Sequence, residues 1–350
     1  MSFTVPLSYA PMEARLAAAI PRGEGWHYEP NWDGFRCLAF RDGDDVRLQS
    51  KSGRPLERYF PEVVAHLRAL GTTRFVIDGE LVIAAGDALS FDDLLQRIHP
   101  AASRIVKLSH DRPATYLLFD LLGEGDESLV DRTLRERRAR LEAFVARGLA
   151  TATRGIALSP ATSTLARVDD WYARVGGALD GVIAKRLDAP YRSGERDAVV
   201  KIKAQRTADC VVAGYRIGTN GSGLGSLLLG LYDDPGNLTY VGHTSGYSAA
   251  EKRAMLERML PLHAPRSFAR NIPGGPSRWK RDADTTWQPV TPDIVLEVAY
   301  DQVTADRFRH GTRPLRLRPD KEARTCTLDQ IVANDRTIAL FDGTLVLDQA

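Results

Sequence analysis

The chain has 350 residues, 43% of them hydrophobic and 26% charged, enough to bury one large core or two ordinary ones in a soluble protein. Lys and Arg number 47 against 45 Asp and Glu, so the net charge of +2 excludes binding a polyanion by bulk charge; basic residues have to cluster locally. Cys37, Cys210 and Cys326 are too scattered for a zinc site and too few for a disulfide scaffold, which suits a reducing compartment. Met1 to Pro6 lacks the basic start and apolar core of a signal peptide, and no apolar run reaches membrane-spanning length. A cytoplasmic protein without a membrane partner is expected.

Residues 1–25 end in the turn-rich Pro21-Arg22-Gly23-Glu24-Gly25. Arg36 to Phe40 and Val46 to Ser50 flank Asp42-Gly43-Asp44, which reads as strand, turn and returning strand. Pro61 stands at a helix start before Val63, Val64, Leu67 and Leu70. Phe75 to Ile77 and Leu81 to Ile83 bracket Asp78-Gly79-Glu80 as a strand with a carboxylate at its centre, and Ser90 with Asp93 predicts a helix cap. Thr115 to Leu122 is an apolar run around Phe119-Asp120, a buried strand. Asp131 to Arg147 has apolar residues at helical spacing, and its arginines are expected on a solvated face. Leu179 to Lys185 and Ala198 to Lys203 predict two more strands, completing an α+β domain over 1–204.

From 205 to 350 the pattern changes. Asp209 to Ile217, Ser226 to Tyr232, Leu238 to Val241, Asp293 to Tyr300 and Leu315 to Arg318 are strand-like, with one helix capped by Ser248 and Glu251. Five short strands and one helix suit an OB-type β-barrel. The segment 263–290, rich in Pro, Gly and Arg, predicts a long loop. Gly218 to Gly225 lacks a following lysine and helix, so it reads as a turn and not as a phosphate loop.

Glu29-Pro30-Asn31-Trp32-Asp33-Gly34-Phe35-Arg36 resembles the first motif of the covalent nucleotidyltransferases, the superfamily of DNA ligases, RNA ligases and capping enzymes. Asp78-Gly79-Glu80-Leu81-Val82 resembles the third motif, Asp180 to Lys185 the fourth and Val200 to Lys203 the fifth. The run from Arg309 to Lys321 resembles the closing motif of the ATP-dependent DNA ligases. The order of these matches carries more weight than any one of them. The resemblance is greatest to small bacterial ATP-dependent DNA ligases, the C type and the ligase module of the D type, and it implies a nucleotidyltransferase (adenylation) domain followed by an OB-fold domain.

It also implies roles. Asn31 occupies the nucleophile position, with Asp33, Lys201 and Lys203 completing the catalytic set. Glu29 would stand near the adenine amino edge, Phe119 on the adenine face, Arg36 near sugar or phosphate, and Glu80 at the ribose, with Lys51 and Lys185 also facing the nucleotide. Glu80 and Asp180 would hold Mg²⁺ or Mn²⁺. Asp180 is one methylene shorter than the usual glutamate. Arg313, Arg316, Arg318, Asp320 and Lys321 would face the departing pyrophosphate. Arg307, Arg309 and that cluster, beside Arg278, Lys280 and Arg281, could instead bind DNA phosphates.

The family joins 5′-phosphate and 3′-hydroxyl ends in DNA repair through enzyme-AMP and DNA-AMP intermediates. A carboxamide at position 31 is no nucleophile, because its nitrogen lone pair is delocalised. Self-adenylation is therefore expected to be blocked while ATP still binds, as in a deliberate substitution that traps a bound state. Two alternatives share these residues: a non-catalytic nucleotide- or DNA-binding pseudo-ligase, and an RNA ligase or capping-type enzyme. Expected partners are nicked or broken DNA and a repair polymerase or end-binding protein, acting with a monomer that hinges near Ala204 to Thr207.

Overall fold

The computed structural model describes residues 3–86, 88–148, 155–173, 179–203, 206–218, 223–273, 286–301, 303–304 and 306–331. The chain divides into two compact units after Ala204. In the first, β1 (Arg15–Leu16), β2 (Trp26–Trp32), β3 (Phe35–Asp42), β4 (Asp45–Ser50) and α1 (Pro61–Ala69) precede β5 (Arg74–Ala85), β6 (Ala88–Leu89), α2 (Phe91–Arg97) and α3 (Ala102–Asp111). Then come β7 (Ala114–Glu124), β8 (Glu127–Ser128), α4 (Leu134–Gly148), β9 (Ile156–Leu158), α5 (Leu165–Ala173), β10 (Leu179–Arg186) and β11 (Val199–Lys203). Two sheets result. One has the order β1-β11-β10-β2; the other runs β4-β3-β5-β7-β8, with β6 on β5 and β9 on β7.

Alternation builds these strands. On β10 and β11 the buried Val182, Ala184, Val200 and Ile202 enter one core with Trp171 of α5. Ile183, Lys185, Lys201 and Lys203, at the intervening positions, face the other side. Arg41, buried on β3, donates to the carbonyls of Leu67, Leu70 and Thr72 at 2.6, 2.8 and 2.9 Å, satisfying acceptors at and beyond the end of α1. The expected cap on α2 is present: the Ser90 hydroxyl accepts from the Asp93 amide at 3.2 Å.

One expectation is corrected. The helix in 131–147 starts at Leu134, and its arginines do not all lie in solvent: Arg137 and Arg138 are 2% and 7% exposed. Arg137 forms a two-pronged pair with Asp120 of β7 at 2.8 and 2.9 Å, and Arg138 reaches the Ser159 carbonyl at 3.0 Å. Helical spacing shows which positions share a face; it does not show that a buried carboxylate waits opposite one of them.

The second unit contains β12 (Arg206–Ile217), β13 (Leu224–Tyr232), β14 (Leu238–Thr244), α6 (Ala249–Met259), β15 (Gln288–Tyr300), the hairpin β16 (Val303–Thr304) with β17 (Arg307–Phe308), and β18 (Arg313–Leu317). The sheet order is β14-β13-β12-β15-β18, and a parallel bridge from Thr244 to Thr312 brings its two edges together. That connectivity, with α6 between the third and fourth strands, is the OB barrel. Ser248 and Glu251 exchange both bonds of a capping box ahead of α6. Gly218 N–H donates to Gly223 O across the start of the expected turn. Residues 274–285, with Arg278, Lys280 and Arg281, lie outside the described residues, as do 332–350 and part of the expected hinge. Among the described residues no helix is long and apolar enough to cross a membrane.

Candidate active site

The site is built on strand register. Across β2, β10 and β11, Asn31 pairs with Gly181 and Gly181 with Lys203; one step along, Glu29 pairs with Ile183 and Ile183 with Lys201. Glu29, Asn31, Lys201 and Lys203 therefore share a face, the lysines as alternation predicts. Gly181 allows this: its φ is +150°, and a Cβ there would lie 1.9 Å from the Ile202 carbonyl oxygen. Gly34, at the corner from β2 to β3, is equally constrained, since a Cβ would meet Leu81 O at 2.4 Å. The Asp-Gly pairs of the first and fourth motifs are points of close backbone approach.

A cavity beside this face is lined by Glu29, Asn31, Arg36, Glu80, Phe119 and Lys185, six of the residues expected at the nucleotide. Glu29 is 2% exposed, with Lys185 Nζ at 2.7 Å and His27 Nε2 at 3.3 Å. Burial works to raise its pKa, but Lys185 and His27 outweigh that and hold it at about 2. Neither contact has hydrogen-bond geometry, so Lys185 Nζ and Glu29 Oε1 are buried without hydrogen-bond partners at the cavity. Phe119 presents its ring between two cations, Arg36 Cζ and Lys185 Nζ each 4.5 Å from its centroid.

Arg36 is held from behind. Its Nε and Nη2 donate to the two Asp78 oxygens at 2.6 Å each, and the Tyr191 hydroxyl donates to Asp78 at 2.6 Å. Glu80 lines both this cavity and an adjoining one with Glu13, Arg36 and Lys51. Burial, partly offset by Arg36 and reinforced by Asp78, Asp33 and Asp180, pushes its carboxyl up to about 8. Asp180 accepts an ion pair from Lys203 at 3.1 Å. Burial, then Lys203 and Lys51, lower the pKa of Lys201. Lys201 and Lys203 do not line the cavity itself. Lys51 is 59% exposed and pairs with Glu13 at 3.2 Å.

Residues 11–203 match the family of the ATP dependent DNA ligase domain, and residues 220–321 match the ATP dependent DNA ligase C terminal region. The chain belongs to the ATP-dependent DNA ligases. DNA ligase C1 of Mycolicibacterium smegmatis is 45% identical over 95% of this chain and 96% of that protein. DNA ligase C of Mycobacterium tuberculosis is 42% identical over 98% of each. The end-joining protein LigD of Pseudomonas aeruginosa is 32% identical over 92% of this chain, which spans 37% of that longer protein. A solved Lig E DNA ligase superposes with a TM-score of 0.52 at 18% identity, covering 88% of this chain and 99% of that one, a likeness of fold. Among the enzymes that share the frame, these matches select the DNA ligases over RNA ligases and capping enzymes.

In the OB unit of this ligase, the closing-motif cations are bound by its own acids. Arg318 reaches both Asp209 oxygens at 3.0 and 3.1 Å and also pairs with Asp320; Lys321 reaches Asp209 at 2.7 Å, and Arg316 reaches Glu297 at 2.6 Å. Sequence reasoning singled out these cations but not Asp209. It likewise passed over Asp78, Tyr191, Arg137 and Glu13 as parts of the site. For Asp78 a signal existed, a carboxylate inside an apolar strand; for the others only spatial proximity reveals the role.

Proposed function

We propose that this ligase binds ATP without forming a lysyl adenylate and acts at the sealing step, joining nicks whose 5′-phosphate already carries AMP. The observation behind this is the assembled pocket around position 31: base, sugar and phosphate partners surround Asn31, and the attacking amine is what is missing. In this reading Phe119 stacks on adenine, Glu29 and Lys185 meet its polar edge, Glu80 takes the ribose, and Lys201 with Lys203 face the α-phosphate. In sealing, the 3′-hydroxyl oxygen attacks the 5′-phosphorus, the bond to AMP breaks, and AMP leaves. Fixed cations stabilise the charge that develops there without needing a nucleophilic lysine.

Among the described residues no group of three or more His, Cys, Asp or Glu is gathered as a metal cage. Glu80 and Asp180 nonetheless fit Mg²⁺ or Mn²⁺ arriving with ATP, which needs only one or two protein carboxylates, and each acid raises the other's cost of ionisation. Such a cation would neutralise phosphate charge. The relatives named for end joining support a place in DNA repair, beside a polymerase or end-binding protein in the cytoplasm.

The test compares ordinary and pre-adenylated nicks, with α-labelled ATP in parallel. Expected are no stable protein–AMP adduct, sealing only of the pre-adenylated nick, and recovery of both activities in Asn31→Lys. A stable adduct in the parent chain would refute the blocked step. Binding of pre-adenylated nicks with no sealing, unchanged in Asn31→Lys, would leave a pseudo-ligase instead.

A further inference from the structure

Three basic groups on the OB barrel stand apart from the ion-paired closing motif. Arg216 ends β12, His243 lies on β14, and Arg307 lies on the β16–β17 hairpin. The register places the first and second on one face, flanking β13: Arg216 pairs with Ser226 and His243 with Leu228, two residues along. Both arginines lower the His243 pKa, after burial, which puts all three in one electrostatic neighbourhood. Among the described residues none of the three has a carboxylate partner, and Arg216 Nε is buried with no hydrogen-bond partner. The Arg307 guanidinium is held over the Tyr240 ring at 4.9 Å.

Gathering cations without an anion is unfavourable unless something anionic completes the site. Arg316, Arg318 and Lys321 of the same barrel are already matched by Glu297, Asp209 and Asp320. The unmatched group also sits where OB folds receive nucleic acid, around the second and third strands and the loops after the first and fourth. Tyr240 is 3% exposed, so it offers no platform for a base. That favours contact with the backbone over readout of sequence. With a net charge of only +2, local clusters of this kind have to supply the attraction to DNA.

We propose that Arg216, His243 and Arg307 form a seat for a backbone phosphate of the DNA substrate, the arginines supplying charge and the imidazole an N–H. This rests on the ligase reading above and adds the residues by which the barrel holds its substrate. The experiment measures binding of the full chain to a pre-adenylated nicked duplex by fluorescence anisotropy across a salt series. Arg216→Ala/Arg307→Ala is expected to weaken binding about tenfold and to lower the slope of log K against log salt by about one, equally for duplexes of different sequence. ATP affinity should stay unchanged. Arg216→Lys/Arg307→Lys, which keeps the charges, should recover most of the binding. Unchanged affinity and slope in the alanine pair would overturn the proposal. So would loss of ATP binding with DNA binding intact, or a lysine pair as weak as the alanine pair. A parent chain that does not bind nicked DNA overturns the ligase reading as well; parent binding with unaffected variants overturns this seat alone.

Discussion

Arg36 is held by Asp78, and Glu80 lies near both in the company of Asp33 and Asp180. Burial and those acids outweigh Arg36 and lift the Glu80 carboxyl to about 8, against roughly 4.3 in an unfolded chain. Between those values the folded state holds a proton that the unfolded state has lost. The stabilising contribution is therefore complete below the unfolded value and is lost as pH rises to about 8. Glu80→Gln removes that slope: in thermal melts without ligand it should match the parent near pH 5 and melt a few degrees higher near pH 9. A constant difference across that range would show that Glu80 does not titrate as described. At this scale Asn31, Gly34 and Gly181 were legible, because a missing amine or a missing Cβ is a property of one position. The clamp on Arg36 was not, since Asp78 lies 42 residues from it and Tyr191 lies 113 residues from Asp78.

Helix α4 shows the same limit among elements. Its apolar positions were readable from spacing, yet Arg137 turns inward to Asp120 on β7, 17 residues earlier, and both line the nucleotide cavity. Arg137→Met leaves Asp120, 3% exposed, without its guanidinium, and should cost about 3–5 kcal/mol in urea denaturation. Adding Asp120→Leu should recover most of that loss, because the cost is that of an uncompensated buried charge. A double variant no more stable than the single one would assign the loss to packing. Strands and capped helices were foreseen well, as at Ser90 and Ser248, where a side-chain cap marks the boundary. Helix α3 was missed: Ala101 caps it with no side chain, and of its residues only Ile105 and Ser109 are buried.

Over the whole molecule, nearly equal numbers of acids and bases make function a question of which charges are left unmatched. Asp209 binds Arg318 and Lys321, and its backbone exchanges hydrogen bonds with the Gln330 side chain, which makes it the anchor of the closing motif. If that motif serves pyrophosphate departure, Asp209→Ala in the Asn31→Lys background should slow adduct formation about tenfold and leave sealing of a pre-adenylated nick within about twofold. Equal losses in both assays would mean that Asp209 only supports the fold. The amino-acid order alone determined the two-unit plan, the alternating strands, the Asp-Gly corners and the lack of an attacking amine at position 31, since each follows from residue type and short-range spacing. Only the tertiary structure decided which cations stay unmatched, which acid keeps its proton and which arginine is buried. Those properties depend on separation in space and on the water that folding removes, and neither can be read along the chain.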